Sequence, residues 1–181
     1  MRIISGKARG TKLFTLEGLD TRPTLDRVKE SLFNIINHRI YASFVLDLFS
    51  GSGAIGLEFA SRGAKEVILC DASKNAINII KKNIEKTHLE EIVELYNLDF
   101  KKLLEEVKGK KFDLIYLDPP YKTDYIKESI EIIKKYNIKS EDGLIIAETD
   151  ETEKIENQLK DLDINIIDKR KYGRANLFFI T

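Results

Sequence analysis

A glycine-rich segment in the first third of the chain reads Asp47-Leu48-Phe49-Ser50-Gly51-Ser52-Gly53-Ala54-Ile55-Gly56. It overlaps an apolar run at residues 44–49 and leads into a helical pattern at residues 55–62. Glycines between a strand and a helix permit a tight turn and let a ligand touch the backbone where a Cβ atom would push it away. Glycines are also ordinary turn residues, so it is the flanking strand, the helix and a following acid that favour a nucleoside cofactor.

Strand and helix patterns alternate from this segment to the end of the chain. The strand patterns, which are short and rich in apolar residues, lie at residues 44–49, 66–71, 92–96, 112–117, 143–148, 164–168 and 176–180. The helical patterns lie at residues 55–62, from the N-cap candidate Ser73 to about 86, through 103–104 to about 107, at 125–135 and at 151–159. This alternation predicts a doubly wound, Rossmann-like α/β fold around a mainly parallel sheet.

The first 43 residues do not follow this alternation. Residues 2–5 and 12–15 are expected to pair as a hairpin across a glycine-containing segment, and an amphipathic helix with Thr24 as its candidate N-cap comes next. The apolar side of that helix consists of Val28, Leu32, Ile35 and Ile36. We therefore expect one folding unit, in which an appendage at residues 1–43 precedes the main α/β domain at residues 44–181.

Acidic residues near the glycines bear on the identity of the cofactor. Asp71 lies 20 residues after Gly51, where a carboxylate can accept the ribose hydroxyl groups of either a nicotinamide dinucleotide or S-adenosylmethionine. Asp47 favours S-adenosylmethionine, because a carboxylate there repels a pyrophosphate but attracts an α-ammonium group. Asp99 is either an acceptor for the adenine amino group or a helix N-cap. The residues assigned to the cofactor are Asp47, Phe49, Gly51, Ser52, Gly53, Asp71, Asp99 and Thr24.

A second motif, Asp118-Pro119-Pro120-Tyr121, follows the strand pattern at residues 112–117 and faces the same crevice as the glycines. An exocyclic amino nitrogen is a poor nucleophile, because its lone pair is delocalised into the base. Asp118 and the carbonyl of Pro119 can accept its N–H groups and direct the lone pair, while the prolines make the turn rigid. Tyr121 offers a stacking surface for a flipped base. The alternative is an ordinary turn; we take these four residues as catalytic.

Several motifs together resemble one enzyme family. The Asp118–Tyr121 tetrad is typical of amino-methyltransferases in general. The wider set resembles the RsmD-type methyltransferases of small-subunit rRNA: Arg2-Ile3-Ile4-Ser5-Gly6, Arg9-Gly10, Arg22-Pro23-Thr24, residues 26–30, residues 46–58, Ser61-Arg62-Gly63-Ala64 and Tyr172-Gly173. The resemblance spans nearly the whole chain and departs at Asp71, where the family more often carries Glu. It implies metal-free transfer of a sulfonium methyl group to guanine N2, and a seven-stranded sheet whose last strand is antiparallel.

Composition limits the partners and the compartment. The chain of 181 residues has zero net charge, one cysteine and two histidines, and we expect no disulfide, no zinc site and a cytoplasmic location without a membrane span. Residues 1–43 hold eight Lys or Arg against four Asp or Glu, and residues 169–181 hold four Lys or Arg and no acid. These basic ends form either ordinary solvated surface or one phosphate-binding face. The substrate-binding candidates are Arg9, Arg22, Arg170 and Arg174.

The expected partner is 16S rRNA, within a partly assembled small ribosomal subunit. The same tetrad can serve adenine N6, cytosine N4 or a protein glutamine, so an amino-methyltransferase with another target stays open. A non-catalytic RNA-binding assembly protein that retains the cofactor pocket is a further alternative. The intact Asp118–Tyr121 tetrad speaks against it.

Overall fold

The computed structural model describes residues 1–16, 23–120, 122–162 and 164–181, except for the side chains of residues 23–26. Its strands are β1 (Phe44–Asp47), β2 (Glu66–Cys70), β3 (Val93–Tyr96), β4 (Phe112–Leu117), β5 (Lys139–Thr149), β6 (Ile166–Tyr172) and β7 (Ala175–Ile180). Its α-helices are α1 (Pro23–Ile36), α2 (Ala54–Ser61), α3 (Lys74–Thr87), α4 (Phe100–Glu106), α5 (Tyr125–Tyr136) and α6 (Thr152–Asp161), and a short 3-10 helix (Asn37–Arg39) follows α1. The predicted alternation of strands and helices is confirmed.

The strands form one sheet in the order β3-β2-β1-β4-β5-β7-β6. The first five are parallel, whereas β7 runs antiparallel to both of its neighbours, β5 and β6. This arrangement confirms the expected seven-stranded fold with its antiparallel last strand. The strand order reverses its direction at β1, so the segments that follow β1 and β4 lead to helices on opposite faces of the sheet. A ligand crevice is typical of that place in open α/β sheets.

Helices cover both faces of the sheet, which explains why the central strands have almost continuous apolar sequences. On one face, Val45 and Tyr116 pack with apolar side chains of α1, α2 and α3 and of the N-terminal segment. On the other face, Leu46 and Ile115 pack with α4, α5 and α6. Because side chains alternate along a strand, consecutive residues of β1 and β4 enter different cores.

The N-terminal segment differs from the expected hairpin. Arg2 and Lys12 form an isolated antiparallel bridge, and no longer ladder is present among the described residues of this segment. The turn between them pairs instead with α2, where the Lys7 N–H donates to the Ser61 carbonyl at 2.8 Å. Thr24 is not the N-cap of α1, since the helix already begins at Pro23. Proline favours the first helical position because that position needs no N–H donor.

Two strand boundaries also differ from the sequence pattern. β5 begins at Lys139 rather than residue 143, because Lys139 pairs with Phe112 of β4 before an irregularity in the register. β6 extends to Tyr172 rather than residue 168, along a charged stretch at the edge of the sheet. Polar residues at the edge of a sheet show no apolar alternation in the sequence. Their strand structure is therefore seen only in their pairing with a neighbouring strand. None of the helices in the described parts of the chain is long and apolar enough to cross a membrane.

Candidate active site

A cavity of about 560 Å³ opens at the carboxyl edge of the parallel strands. The predicted site residues that line it are Asp47, Phe49, Gly51, Ser52, Asp71, Asp99, Asp118, Pro119 and Pro120. Residues from the glycine segment and from the proline motif therefore share one cavity, although about 70 residues separate them in sequence. Of the predicted cofactor residues with described side chains, Gly53 alone is not part of the lining.

The loop between β1 and α2, residues 50–53, is hereafter called the glycine loop. Gly51 has φ +56° and Gly53 has φ +78°, in the left-handed region that favours glycine. A Cβ atom on Gly51 would meet nothing within 4 Å, so the backbone at this point borders open space. A Cβ atom on Gly53 would lie 3.3 Å from Ile80 Cγ2. Gly53 therefore shapes the loop and caps α2, while Gly51 presents its backbone to the cavity.

Asp71 fastens the glycine loop to the end of β2. Its Oδ2 accepts a hydrogen bond from the Gly51 N–H at 2.9 Å, and its Oδ1 accepts one from the Ser73 N–H at 2.8 Å. Ser73 in turn caps α3, as predicted, by accepting from the Ala76 N–H. Each carboxylate oxygen has a second lone pair, so Asp71 can accept from ligand hydroxyl groups while it holds the loop.

Asp47 is the most deeply buried acid of the cavity wall, with 1% of its surface exposed. Its Oδ2 accepts from the Gly56 N–H at 3.1 Å, whereas its buried Oδ1 has no hydrogen-bond partner among the described residues. Burial, helped by the negative charge of Asp71, raises the pKa of Asp47 from 3.8 to about 7. A buried acceptor without a donor is costly, and a cationic ligand group would relieve that cost. The acceptor oxygens of Asp47 therefore fit the α-ammonium group of S-adenosylmethionine.

Asp99 acts as the N-cap of α4, because its Oδ1 accepts from the Lys101 N–H at 2.9 Å. It also lines the cavity, so the two sequence interpretations are compatible. Beside it, the ring of Phe49 lies parallel to that of Tyr125 at 6.2 Å and is tilted against that of Phe100 at 5.3 Å. These three rings form an apolar wall that can pack against a planar heterocycle. The contributions of Phe100 and Tyr125 were missed by the sequence analysis.

Asp118 is half-buried at the end of β4, beside two other carboxyl groups. Burial and the negative charges of Glu148 and Asp47 raise its pKa well above the usual range. Burial also raises the pKa of Glu148, although the hydroxyl of Tyr116 opposes this by donating to Glu148 Oε2 at 2.5 Å. Sequence analysis missed both Glu148 and Tyr116. The signal for Glu148 was present, since this acid ends the apolar strand pattern at residues 143–148.

Some predicted site residues lie outside the described part of the structure. Tyr121 and Arg22 belong to this group entirely. The backbone of Thr24 lies in the first turn of α1, but its side chain is not described. Their assignments stay predictions.

Arg9 lies far from the cavity mouth. The neighbouring Ala8 N–H donates to Ser61 Oγ at 3.0 Å, at the carboxyl end of α2. Since α2 begins at the glycine loop, its carboxyl end points to the opposite edge of the sheet. Arg9 is exposed there, so it does not join the residues at the cavity rim.

Arg174 lies on the cavity side of the sheet. It is in the turn between β6 and β7, and the next residues pair with the end of β5, where Asn176 is in register with Thr149. Arg170 precedes it on the edge strand, and its Nε lies 2.9 Å from Asp168 Oδ2. Arg9 and Arg174 occupy different edges of the sheet, which favours ordinary solvated surface over one phosphate-binding face.

The N-terminal segment reaches the cavity through Asn83, a fully buried residue of α3. Asn83 accepts from the Phe14 N–H at 2.8 Å and donates to the Phe14 carbonyl at 2.9 Å. Its amide also donates to the carbonyl of Ser52 at 2.8 Å. One side chain thus ties the segment to the glycine loop, and the following Thr15 and Leu16 line the cavity. No sequence motif identified this residue.

A buried ionic cluster holds the beginning of the same segment. Glu58 of α2 is fully buried and accepts from the backbone N–H groups of Ile4 and Ser5, at 2.8 and 2.9 Å. It also pairs with Lys29 of α1 at 3.0 Å and with Arg62 at 2.8 Å. Lys29 lines the cavity, so the cluster links the appendage to the candidate active site. Across the described ranges, no group of three or more His, Cys, Asp or Glu side chains is arranged to hold a metal ion.

Comparison with protein families gives a match over the full chain, residues 1–181, to the family described as Conserved hypothetical protein 95. The YlbH protein of Bacillus subtilis strain 168, an rRNA methyltransferase candidate, is 38% identical over 164 residues, which cover 90% of this chain and 89% of that protein. Ribosomal RNA small subunit methyltransferase D of Haemophilus influenzae is 37% identical over 154 residues, covering 83% and 79% of the two chains. The solved structure of yhhF from Escherichia coli, a methyltransferase candidate, has a TM-score of 0.83 and 27% identity, and covers 99% of this chain and 96% of that one.

Proposed function

The chain belongs to the RsmD-type family of rRNA methyltransferases, and we propose that it transfers the methyl group of S-adenosylmethionine to the N2 amino group of a guanine in 16S rRNA. One observation carries this proposal above the others. The carboxyl group of Asp118 lies in the same cavity as Asp47 Oδ1, which has no hydrogen-bond partner in the described part of the chain. A group that accepts from a target amine and a group that accepts from a cofactor ammonium are thus combined in one place.

The cofactor is held by acceptors along the carboxyl edge of β1 and β2. Asp47 takes the α-ammonium group, and Asp71 takes the ribose hydroxyl groups while it keeps Gly51 in place. Asp99 accepts from the adenine amino group, and the ring of Phe49 borders the adenosine. When bound, S-adenosylmethionine supplies an activated methyl group on a sulfonium centre. The segment before β1 contributes to this site through Leu16, in keeping with an appendage that belongs to the same folding unit.

Asp118 and the carbonyl of Pro119 orient the target amine. Both accept from its N–H groups, which draws the nitrogen toward tetrahedral geometry and directs its lone pair at the methyl carbon. Positioning of two reactants can contribute about 7–11 kcal/mol to lowering a barrier. Asp118 serves as an acceptor more than as a strong base, because the nitrogen becomes cationic on methylation and then readily releases its proton to that carboxylate. Tyr121 stacks on the flipped base.

The basic residues proposed to bind rRNA are divided between two edges of the sheet. Arg174 lies on the cavity side and Arg9 on the opposite edge, and the overall charge is zero. Weak electrostatic attraction implies weak binding of naked rRNA with a clear dependence on salt. A partly assembled small subunit is then the better substrate, since ribosomal proteins order the target segment before the enzyme binds.

The test is methylation of small-subunit rRNA from a strain in which the gene is deleted, presented both naked and as partly assembled particles. Mass mapping should find one methyl group on the N2 atom of one guanine, with the higher rate on particles. The Asp118→Ala variant is the matched negative control. Methylation of adenine, cytosine or a protein glutamine instead would contradict the guanine assignment. Cofactor binding without transfer to any of these would favour an RNA-binding assembly protein.

A further inference from the structure

Glu148 is a buried acid in the cavity wall that the proposed chemistry does not use. It has 7% of its surface exposed and lies near the end of β5. Parallel pairing of Leu117 with Ala147 makes Glu148 the strand neighbour of Asp118, across a spacing of about 4.8 Å between strands. A carboxyl group in such a place costs free energy, so a specific use for it is expected.

The hydrogen bond with Tyr116 fixes the orientation of the Glu148 carboxylate. The Tyr116 hydroxyl donates to Oε2, which fixes the plane of the carboxylate and leaves Oε1 as an acceptor. Tyr116 and Glu148 are both cavity-lining residues, as is Asp118. Burial raises the pKa of Glu148, and the hydrogen bond from the Tyr116 hydroxyl opposes this by stabilising the negative charge.

Resting on the proposed function, we infer that Glu148 is the residue that selects guanine, by accepting the N1–H of the flipped base through Oε1. In guanine, a ring N–H donor lies beside the exocyclic amino group. In adenine and in cytosine, the ring nitrogen beside the amino group is an acceptor, and it would face the carboxylate with no proton between them. Two acceptors side by side, Asp118 and Glu148, therefore match only guanine among these bases.

The inference also gives Tyr116 a part, as a positioning residue. Its hydroxyl holds the Glu148 carboxylate but does not touch the base in this arrangement. Tyr116→Phe should therefore keep the preference for guanine while it lowers the rate. Glu148→Gln should instead lose the preference for guanine. Its amide oxygen accepts from the Tyr116 hydroxyl, so its NH₂ group turns toward the base and offers a donor where the acceptor was.

The experiment compares two RNAs that differ at the mapped target position, one with guanine and one with 2-aminopurine. The analogue keeps the N2 amino group but has an acceptor at N1. Wild type should prefer guanine in kcat/KM by on the order of 10- to 100-fold, the discrimination expected for one buried hydrogen bond to substrate. Glu148→Gln should abolish or reverse this preference for guanine. Comparing the ratio between variants cancels the loss of O6 in the analogue.

Glu141→Gln, the same exchange at an exposed position of the same strand, is the matched control and should keep the wild-type ratio. Glu148→Ala removes the acceptor without adding a donor, so its ratio should lie between those of wild type and Glu148→Gln. S-adenosylmethionine affinity is measured for every variant. An unchanged ratio in Glu148→Gln with intact cofactor binding would overturn the inference, as would loss of both folding and cofactor binding in both Glu148 variants. Failure of wild type on the guanine RNA would instead overturn the proposed function itself.

Discussion

Replacing Asp47 by asparagine tests two effects of this buried carboxyl group: its cost to the stability of the fold and its contribution to binding S-adenosylmethionine. Burial raises the pKa of Asp47 from 3.8 to about 7 in the folded chain. Between pH 3.8 and about pH 7, Asp47 keeps its proton in the folded state but has released it in the unfolded chain. The free energy of unfolding therefore decreases as pH rises through this window, and is least above about pH 7. Asparagine has no such titration and can still accept from the Gly56 N–H.

The magnitude follows from the size of the shift. A raised pKa costs about 1.4 kcal/mol per unit, so the charged Asp47 destabilises the apoprotein by about 4 kcal/mol at pH 8. At pH 5 the destabilisation reflects only the part of the pKa shift between 3.8 and 5, which is about 2 kcal/mol. The Asp47→Asn variant should thus gain about 2–3 kcal/mol more, relative to wild type, at pH 8 than at pH 5. Using the difference between two pH values removes any constant cost of burying the amide.

Urea unfolding of both proteins at the two pH values measures this gain, and calorimetry with S-adenosylmethionine measures the functional cost. We expect the variant to be relatively more stable at pH 8 and to bind the cofactor at least 10-fold more weakly, because the ammonium group loses a charged acceptor. The same relative stability at pH 5 and pH 8 would show that Asp47 titrates normally. Undiminished cofactor affinity would refute its assignment to the ammonium group.

Further substitutions test the other parts of the site. Gly53→Val should abolish cofactor binding, because its φ of +78° is strained for valine and the side chain would press on Ile80; near-normal affinity in calorimetry would contradict this. Asp71→Ala should weaken cofactor binding by about 1–3 kcal/mol, the value of a charged hydrogen-bond acceptor. Asp118→Ala should keep cofactor affinity within a few-fold and lose most of the turnover, and equal losses of both would contradict its assignment to the target amine. Tyr121→Phe should be mild and Tyr121→Ala severe in methylation rate; equal losses would point to the hydroxyl group.

Much of the fold and part of the site could be predicted from the sequence, for reasons that are local. Buried parallel strands leave continuous apolar runs, so β4 was located to the residue at Phe112–Leu117. A glycine that must adopt positive φ, such as Gly53, marks a turn wherever it occurs. Asp47 was identifiable because it lies inside an apolar strand pattern just before the glycines, and Asp118 because it directly follows such a pattern and precedes two prolines. These signals lie within a few residues of the position they describe.

The tertiary structure alone decided which distant residues meet. The pairing of β4 with β5 brings Glu148 beside Asp118, and the packing of α3 brings Asn83 to the glycine loop. It also separates Arg9 from Arg174, which charge counting along the chain had combined. Such relations depend on strand order, register and helix packing between residues far apart in sequence. They arise only when the chain folds into its tertiary structure, so no local stretch of sequence predicts them.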